Sequence, residues 1–215
     1  GWGEPLLHPH FFELAVLAKE MGCRVGTTTN GRLVDTSTAT ELVRCGIDIL
    51  AFSLAGSTPA YNDHIRKGAP LDRVLESIQK VREARIRENK STPTLHVAHM
   101  LLRSGIGEIE GLPALLARQG VEQVVISSLD LVASQELAFE SIHSLGEGER
   151  DNLRELLLWV HKEGKRLGVQ IHTPSLEIPT KPGSCTENIQ GAFFVSADGR
   201  VSPCVYTNVP VSQGG

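Results

Sequence analysis

Small and polar residues recur at the points where apolar runs end, and their side chains suit a charged small molecule. They occupy residues 3–5, 27–31, 53–56 and 127–128. The carboxyl ends of parallel strands meet at one rim of a sheet, and parallel α/β proteins bind their ligands there. Hydroxyl, amide and carboxylate groups can bind such a ligand where glycine keeps the backbone accessible. The pattern predicts a ligand site, although turns alone also favour Gly, Asn and Ser at strand ends.

The four cysteines are a second group with chemical potential, and they stand at positions 23, 45, 185 and 204. They are too few and too far apart for a disulfide framework, and no pair forms a Cys-x2-Cys metal knuckle. Both features favour a reducing, cytoplasmic setting. Cys23 and Cys45 each stand beside a glycine at the predicted end of a helix, so we expect both to be buried structural thiols.

Two histidines fall in one apolar run, at His96 and His99. Side chains alternate between the two faces of a strand, so a separation of three places these two imidazoles on opposite faces. We therefore expect at most one of the two histidines to face a cavity.

The elements that must position these residues alternate between apolar strands and amphipathic helices. Strands are predicted to begin near residues 24, 48, 95, 121 and 169, with helices over 11–21, 35–44, 71–89, 112–118 and 147–167. This alternation predicts an α/β fold with a parallel sheet and right-handed crossovers. Continuous apolar strands indicate that helices cover the sheet. An open doubly wound sheet and a (β/α) barrel or half-barrel both fit the periodicity.

The character of the chain changes near residue 174, where three prolines punctuate residues 174–182. An apolar run at 192–195, then Asp198-Gly199, then Val201 predicts a β-hairpin. We therefore expect residues 1–174 to form the parallel unit and residues 175–215 to begin a small β-rich unit. The missing initiator Met and the abrupt end also lead us to expect a chain truncated at both ends.

The charge balance excludes two classes of partner. The 215 residues carry 21 Lys and Arg against 25 Asp and Glu, a net charge of −4. Such a chain has no bulk attraction for nucleic acid or for an anionic membrane. No apolar run approaches the roughly 18–20 residues of a membrane span.

Taken in order, the rim segments resemble those of the radical S-adenosylmethionine (radical SAM) enzymes. Residues 3–9 resemble that superfamily's Gly-Gly-Glu-Pro segment, with Trp2 in place of one glycine, and residues 29–33 are similar to its Thr-Asn-Gly element. Residues 53–56 are similar to its Ser-Leu-Asp-Gly, with Ala55 where Asp is frequent, and residues 63–68 resemble the Arg-Gly stretch that follows. The resemblance covers residues 1–172 and implies an incomplete parallel (β/α) barrel. It also implies a set of residues that contact S-adenosylmethionine (SAM): Gly3, Glu4, Pro5, Thr29, Asn30, Ser53, Arg66 and Ser127.

A second resemblance involves the two later cysteines. Cys185, thirteen residues, Gly199, four residues and Cys204 fit the opening of the SPASM or twitch extension of this superfamily. The resemblance implies that both thiolates bind an auxiliary iron–sulfur cluster, for which soft sulfur ligands are suited.

The resemblance implies a full-length enzyme that reductively cleaves SAM with a [4Fe–4S] cluster. The resulting 5′-deoxyadenosyl radical would abstract hydrogen from a peptide or small-molecule substrate, with a ferredoxin or flavodoxin as reductant. The 215 residues contain no Cys-x3-Cys-x2-Cys for that cluster, so we expect this chain alone to be inactive and the triplet to lie upstream. A clusterless SAM- or nucleotide-binding paralogue and an unrelated (β/α) barrel enzyme are the alternatives.

Overall fold

The computed structural model describes residues 3–129, 135–176, 192–196 and 198–203, without the side chains of residues 135 and 136. The chain divides into two compact units, one of Glu4–Leu176 and one of Gly1–Gly3 with Glu177–Gly215. The assignment of residues 175–215 to an auxiliary-cluster extension stays a prediction.

A parallel sheet of five strands in sequential order, β1 to β5, forms the larger unit. The strands are β1 (Gly26–Thr29), β2 (Ile49–Leu54), β3 (Thr94–Leu101), β4 (Gln123–Ser128) and β5 (Gln170–His172). Each strand pairs with its predecessor in the chain. Right-handed crossovers that always advance in one direction put every helix on one face, as in the wall of a (β/α) barrel. A doubly wound sheet reverses its order and covers both faces, so the predicted α/β class and the barrel-type alternative are confirmed.

Burial separates the two faces of this sheet. Alternate residues of β3, such as Leu95 and Val97, are fully buried, whereas Met100 on the opposite face is 39% exposed. Val125 of β4 lies on the same face as Met100 and is 44% exposed. We call the second face the open face, because the helices of this unit pack against the other one.

The helices carry their apolar stripes toward the covered face, and several begin at a side-chain cap. In α4, six residues including Val74, Ile78 and Val81 are buried. Asp35 caps α2, accepting a hydrogen bond of 2.7 Å from the Thr38 backbone N–H. The α-helices are α1 (Phe11–Glu20), α2 (Thr36–Arg44), α3 (Pro59–Ile65), α4 (Leu71–Arg87), α5 (Leu112–Arg118), α6 (Gln135–Ala138) and α7 (Glu147–Leu167), and three 3-10 helices span Pro5–Leu7, Arg103–Gly111 and Ile142–Ser144.

The described part of the smaller unit is an antiparallel hairpin of β6 (Phe194–Val195) and β7 (Val201–Ser202). Gly199 lies in its turn with φ of +79°, which suits the predicted Asp-Gly signature. Cys185 and Cys204 lie outside the described residues.

Two sequence-based expectations need correction. The short helix α3 and the 3-10 helix Arg103–Gly111 were not predicted, because polar residues in the first segment and glycines in the second leave no long apolar period. Cys23 is exposed rather than buried, since it lies in the turn between α1 and the edge strand β1, whereas Cys45 is buried as expected. Within the part of the chain that the structure describes, no helix has the length and apolarity needed to cross a membrane.

Candidate functional site

The carboxylate of Glu4 joins the first rim segment to the second. Glu4 Oε1 accepts hydrogen bonds from Thr29 Oγ1 at 2.8 Å and from the Leu6 backbone N–H at 3.3 Å. Glu4 Oε2 accepts one from the Asn30 backbone N–H at 2.7 Å. We call Glu4, Thr29 and Asn30 the Glu4 cluster. Its carboxylate is occupied by three protein donors, so this side chain organises the rim instead of presenting a free charge to a ligand.

Within the Glu4 cluster, only Asn30 keeps a free donor at its side chain. Thr29 is 1% exposed, and its Oγ1 also accepts the Gly31 backbone N–H at 3.1 Å. Asn30 Oδ1 accepts the Arg32 backbone N–H at 2.9 Å. The Asn30 amide nitrogen therefore has no acceptor among the described residues, whereas Thr29 supports the loop.

Arg66, at the end of α3, is the only arginine among the described residues with a buried nitrogen that lacks a partner. It is half-buried, its Nε has no hydrogen-bond partner, and its guanidinium forms no ion pair with a described residue. Burial lowers the pKa of this guanidinium, and the negative charge of nearby Glu4 raises it. A partly desolvated cation that lacks a partner is costly unless an anion binds it. The guanidinium fork matches a carboxylate or phosphate geometrically.

A second carboxylate shapes the loop after β2. Glu108 accepts hydrogen bonds from the backbone N–H groups of Ser57 at 2.8 Å and Thr58 at 2.9 Å, and from both hydroxyls. We call Ser57, Thr58 and Glu108 the Glu108 cluster. Gly56 precedes it, and a Cβ there would lie 2.8 Å from the Tyr61 ring and 2.9 Å from Glu108 Oε2. Only glycine allows this close approach.

The remaining predicted contacts lie at different positions along the rim. Ser53 follows Phe52, the register partner of Thr29, so it stands at the level of Asn30. Ser127 is exposed on β4 and pairs in register with Met100. Pro5 opens the 3-10 helix that Glu4 caps, and Gly3, in the smaller unit, is exposed with φ of +115°. The structure thus joins Glu4, Thr29 and Asn30 directly, and it sets Ser127 two strands away from Ser53.

Two imidazoles that are not among the predicted SAM contacts lie on the open face of the sheet. Thr94 Oγ1 donates to the Asp48 carbonyl at 3.0 Å, so it must accept the hydrogen of His96 Nε2 at 3.2 Å, and His96 Nδ1 is left as an acceptor. His172 on β5 hydrogen-bonds to the Gln123 amide. Burial lowers the pKa of His96, and this keeps its imidazole neutral at pH 7.

The described residues contain no cluster of three or more His, Cys, Asp and Glu that could hold a metal ion. Cys185 and Cys204, the predicted ligands of an auxiliary cluster, lie outside these residues. The chemistry of Arg66 and the Asn30 amide fits an organic ligand with an anionic group.

Three residues of the site were not predicted from the sequence: Glu108, His172 and Asn62. Asn62 is buried, and its Oδ1 accepts the Ala55 backbone N–H at 3.1 Å. Glu108 is 50 residues from Thr58 in the chain, and no local pattern pairs positions so far apart. The alternation of β5 does place His172 on the face opposite Ile171, so a strand-face argument could have found that imidazole.

Comparison with protein-family models matches residues 1–102 to the radical SAM superfamily. The tungsten-containing aldehyde ferredoxin oxidoreductase cofactor-modifying protein of Pyrococcus furiosus is 26% identical over 208 residues, which are 95% of this chain and 55% of that protein. The mycofactocin maturase MftC of Mycobacterium tuberculosis is 27% identical over 120 residues, 56% of this chain and 29% of MftC. The chain thus spans about half of the first relative and under a third of the second.

Solved structures support the same fold. SuiB of Streptococcus suis superposes with a TM-score of 0.71 at 14% identity, covering 99% of this chain and 51% of SuiB. SuiB bound to S-adenosylmethionine gives a TM-score of 0.70 at 16% identity, covering 99% of this chain and 49% of that one. At these identities the likeness concerns the fold alone. The family match at residues 1–102 and the two relatives agree with the ordered rim segments in supporting the radical SAM superfamily for this chain.

Proposed function

We propose that the rim formed by Glu4, Pro5, Asn30, Ser53 and Arg66 binds SAM in a radical SAM enzyme that modifies a peptide or a small cofactor precursor. The observation that supports this most is the partnerless, half-buried Arg66 guanidinium next to the Glu4 cluster. Its fork suits the methionine carboxylate of SAM. When bound, SAM and a reduced [4Fe–4S] cluster supply the radical chemistry, and the protein supplies binding and orientation.

Each residue of the rim takes a separate part in this proposal. Arg66 binds the carboxylate, and the backbone carbonyls around Pro5 accept hydrogen bonds from the ammonium. Asn30 donates from its free amide nitrogen, and Ser53 and Ser127 offer hydroxyls toward the rest of the molecule. Glu4 and Thr29 hold the two loops in place, because their side chains are already paired with each other.

The iron–sulfur part of the proposal concerns the full-length protein. This sequence has no Cys-x3-Cys-x2-Cys, so we propose that the 215 residues alone do not cleave SAM. Cys185 and Cys204 are proposed as the first ligands of an auxiliary cluster, and their replacement by Ala in the full-length protein should lower its iron content. Iron content unchanged in both variants would contradict that assignment.

The names of the relatives support the proposed substrate class. One relative is named a cofactor-modifying protein and another a mycofactocin maturase. SuiB has also been solved with its precursor peptide SuiA, and this chain superposes on that structure of SuiB with a TM-score of 0.60. We propose a peptide or peptide-derived substrate, a low-potential reductant such as a ferredoxin or flavodoxin, and a cytoplasmic location.

Thermal unfolding of the full-length, cluster-loaded protein under anaerobic conditions tests SAM binding. At a SAM concentration of 100 times Kd, we expect the Tm to rise by about 5–10 °C, because a ligand of the native state adds about 2.7 kcal/mol. ATP, which has no methionine group, serves as the control and should leave the Tm unchanged. Equal shifts with ATP and SAM would favour a general nucleotide site, and no shift with SAM would overturn the proposal.

A further inference from the structure

His99, on the covered face of β3, is an imidazole that the proposed chemistry has not used. Its side chain is 1% exposed, and neither Nδ1 nor Nε2 has a hydrogen-bond partner among the described residues. A buried polar group without a partner lowers stability, and an apolar residue of similar shape would avoid that loss. Its neighbours in the sheet, Leu54 and Ile126, are apolar and buried.

Two charged groups lie near this imidazole, and only one of them is available to it. His99 pairs in register with Leu54, and the next residue, Ala55, donates its backbone N–H to Asn62 Oδ1 at 3.1 Å. The Asn62 carbonyl in turn accepts the Arg66 backbone N–H at 2.7 Å, so the end of α3 is tied to the strand beside His99. Glu108 and Arg66 both act electrostatically on this imidazole. The Glu108 carboxylate is occupied by the backbone and hydroxyl donors of Ser57 and Thr58. Arg66 has a buried Nε–H without an acceptor. An unprotonated imidazole nitrogen is an acceptor, so the two unsatisfied groups match chemically.

We propose that His99 is a positioning residue for Arg66, accepting the Arg66 Nε–H when the guanidinium binds the carboxylate of SAM. This inference rests on the proposed SAM site. The two outer nitrogens of the guanidinium then face the carboxylate, while the third hydrogen bond fixes the plane of the fork. Ser127 lies on the adjoining strand and donates to the His99 carbonyl at 3.4 Å, so His99 stands directly below the rim.

The experiment compares SAM with 5′-methylthioadenosine, which has the same nucleoside but no methionine carboxylate. Binding of each to the full-length, cluster-loaded protein is measured by isothermal titration calorimetry. We expect His99→Leu to weaken SAM binding about ten- to a hundredfold, since a hydrogen bond to a charged group is lost, and to leave 5′-methylthioadenosine binding unchanged. In the absence of ligand, the same variant should raise the Tm, because two unsatisfied nitrogens leave the core.

Two conservative variants identify the accepting nitrogen. His99→Asn places an amide oxygen near the position of Nδ1, and His99→Gln places one near Nε2. We expect one of them to restore most of the SAM affinity. His161→Leu is the matched control, because His161 is a partnered imidazole whose Nδ1 donates to the Ile171 carbonyl at 2.9 Å. That variant should lower the Tm without affecting SAM binding.

The outcomes separate this inference from the proposed function. If the wild-type protein does not bind SAM, the proposed function and the role of His99 both fail. If it binds SAM and His99→Leu binds equally tightly, only the role of His99 fails. Weaker binding of both ligands by His99→Leu would also overturn it, since the effect would then not pass through the carboxylate.

Discussion

Two regions of the rim use charged groups in opposite ways. In the Glu4 and Glu108 clusters, each carboxylate accepts hydrogen bonds from loop N–H groups and hydroxyls, at 2.7–3.3 Å for Glu4 and 2.8–3.3 Å for Glu108. Around Arg66 and His99, by contrast, a guanidinium nitrogen and both imidazole nitrogens are buried with no partner among the residues that the structure describes. The saturated clusters shape the loops, and the unsaturated pair is the one that we propose to serve ligand binding.

This contrast gives a physical criterion for separating support from binding. A saturated carboxylate stabilises the fold, and its loss should lower the free energy of unfolding. An unsaturated buried group contributes nothing favourable to the free protein, so its loss should affect ligand binding and leave or increase stability. Substitutions of saturated groups should therefore lower the free energy of unfolding, whereas substitutions of unsaturated groups should leave it unchanged or raise it.

The largest effect is expected for Arg66→Gln. Removing one partner of a buried, hydrogen-bonded charge pair costs about 2–5 kcal/mol, so SAM binding should weaken by about 30-fold or more. The free energy of unfolding without SAM should stay the same or rise, because Arg66 has no protein partner. Titration calorimetry and urea unfolding measure the two quantities. Arg44→Gln, which removes an exposed ion pair with Glu88, is the control, and unchanged SAM affinity in Arg66→Gln would contradict the contrast.

The second-largest effect is expected in the pH dependence of stability, which should report the titration of the buried His99. Burial lowers the pKa of His99 from 6.5 to about 4, with Glu108 raising it and Arg66 lowering it. Between these values the unfolded chain binds a proton that the folded protein does not, so stability falls as pH falls from about 6.5 toward 4. A shift of about 2.5 units corresponds to about 3 kcal/mol.

Urea unfolding at pH 7 and pH 4 tests this, with His99→Leu as the comparison. Between the two pH values, the free energy of unfolding of the variant should fall by about 3 kcal/mol less than that of the wild type. The contribution of the carboxylates is common to both proteins, so the difference reports His99. Equal losses would mean that His99 is protonated in the folded protein.

The sequence predicted the elements of the fold because their signals are local. The five strands begin within two residues of the predicted positions, at 26, 49, 94, 123 and 170, and α5 and α7 match their predicted ranges. Periodicity also placed His96 and His99 on opposite faces, and the structure buries only His99. The order of the rim segments indicated the superfamily.

The contacts within the site were not predictable in the same way. Glu4 reads as a helix cap from its neighbours, and it does accept the Leu6 N–H, but its bond to Asn30 crosses 26 positions. That Arg66 is left without a partner follows from three-dimensional packing, which no spacing rule describes. The Glu108 cluster likewise depends on a 3-10 helix that periodicity did not reveal.

The third prediction concerns the two saturated clusters, through Glu4→Gln and Glu108→Gln. An amide group keeps one acceptor oxygen but places N–H donors against backbone N–H groups, so each variant should lose about 1–3 kcal/mol of unfolding free energy. Only Glu4→Gln should also weaken SAM binding, because Asn30 and Arg66 are its neighbours. Urea unfolding and SAM titration measure both effects. Wild-type stability in both variants would show that the carboxylates do not hold the loops.

The smallest effect is expected at the N-terminus of α2, where Asp35 caps the helix. Asp35→Ala leaves the Thr38 backbone N–H without its acceptor and should lower the free energy of unfolding by about 1 kcal/mol. Asp35→Asn keeps a capping oxygen and should retain most of that stability. The hydrogen bond from the Thr38 backbone N–H lowers the pKa of Asp35, so the stabilisation from the ionised cap is present above about pH 4 and is lost as pH falls below it. SAM affinity should not change in either variant, because the hydrogen bond to the Asp35 carboxylate comes from the Thr38 N–H of its own helix and not from the Glu4 cluster or Arg66. Weaker SAM binding with Asp35→Ala would mean that stability and binding are coupled throughout this unit, and the distinction between saturated and unsaturated groups would then fail.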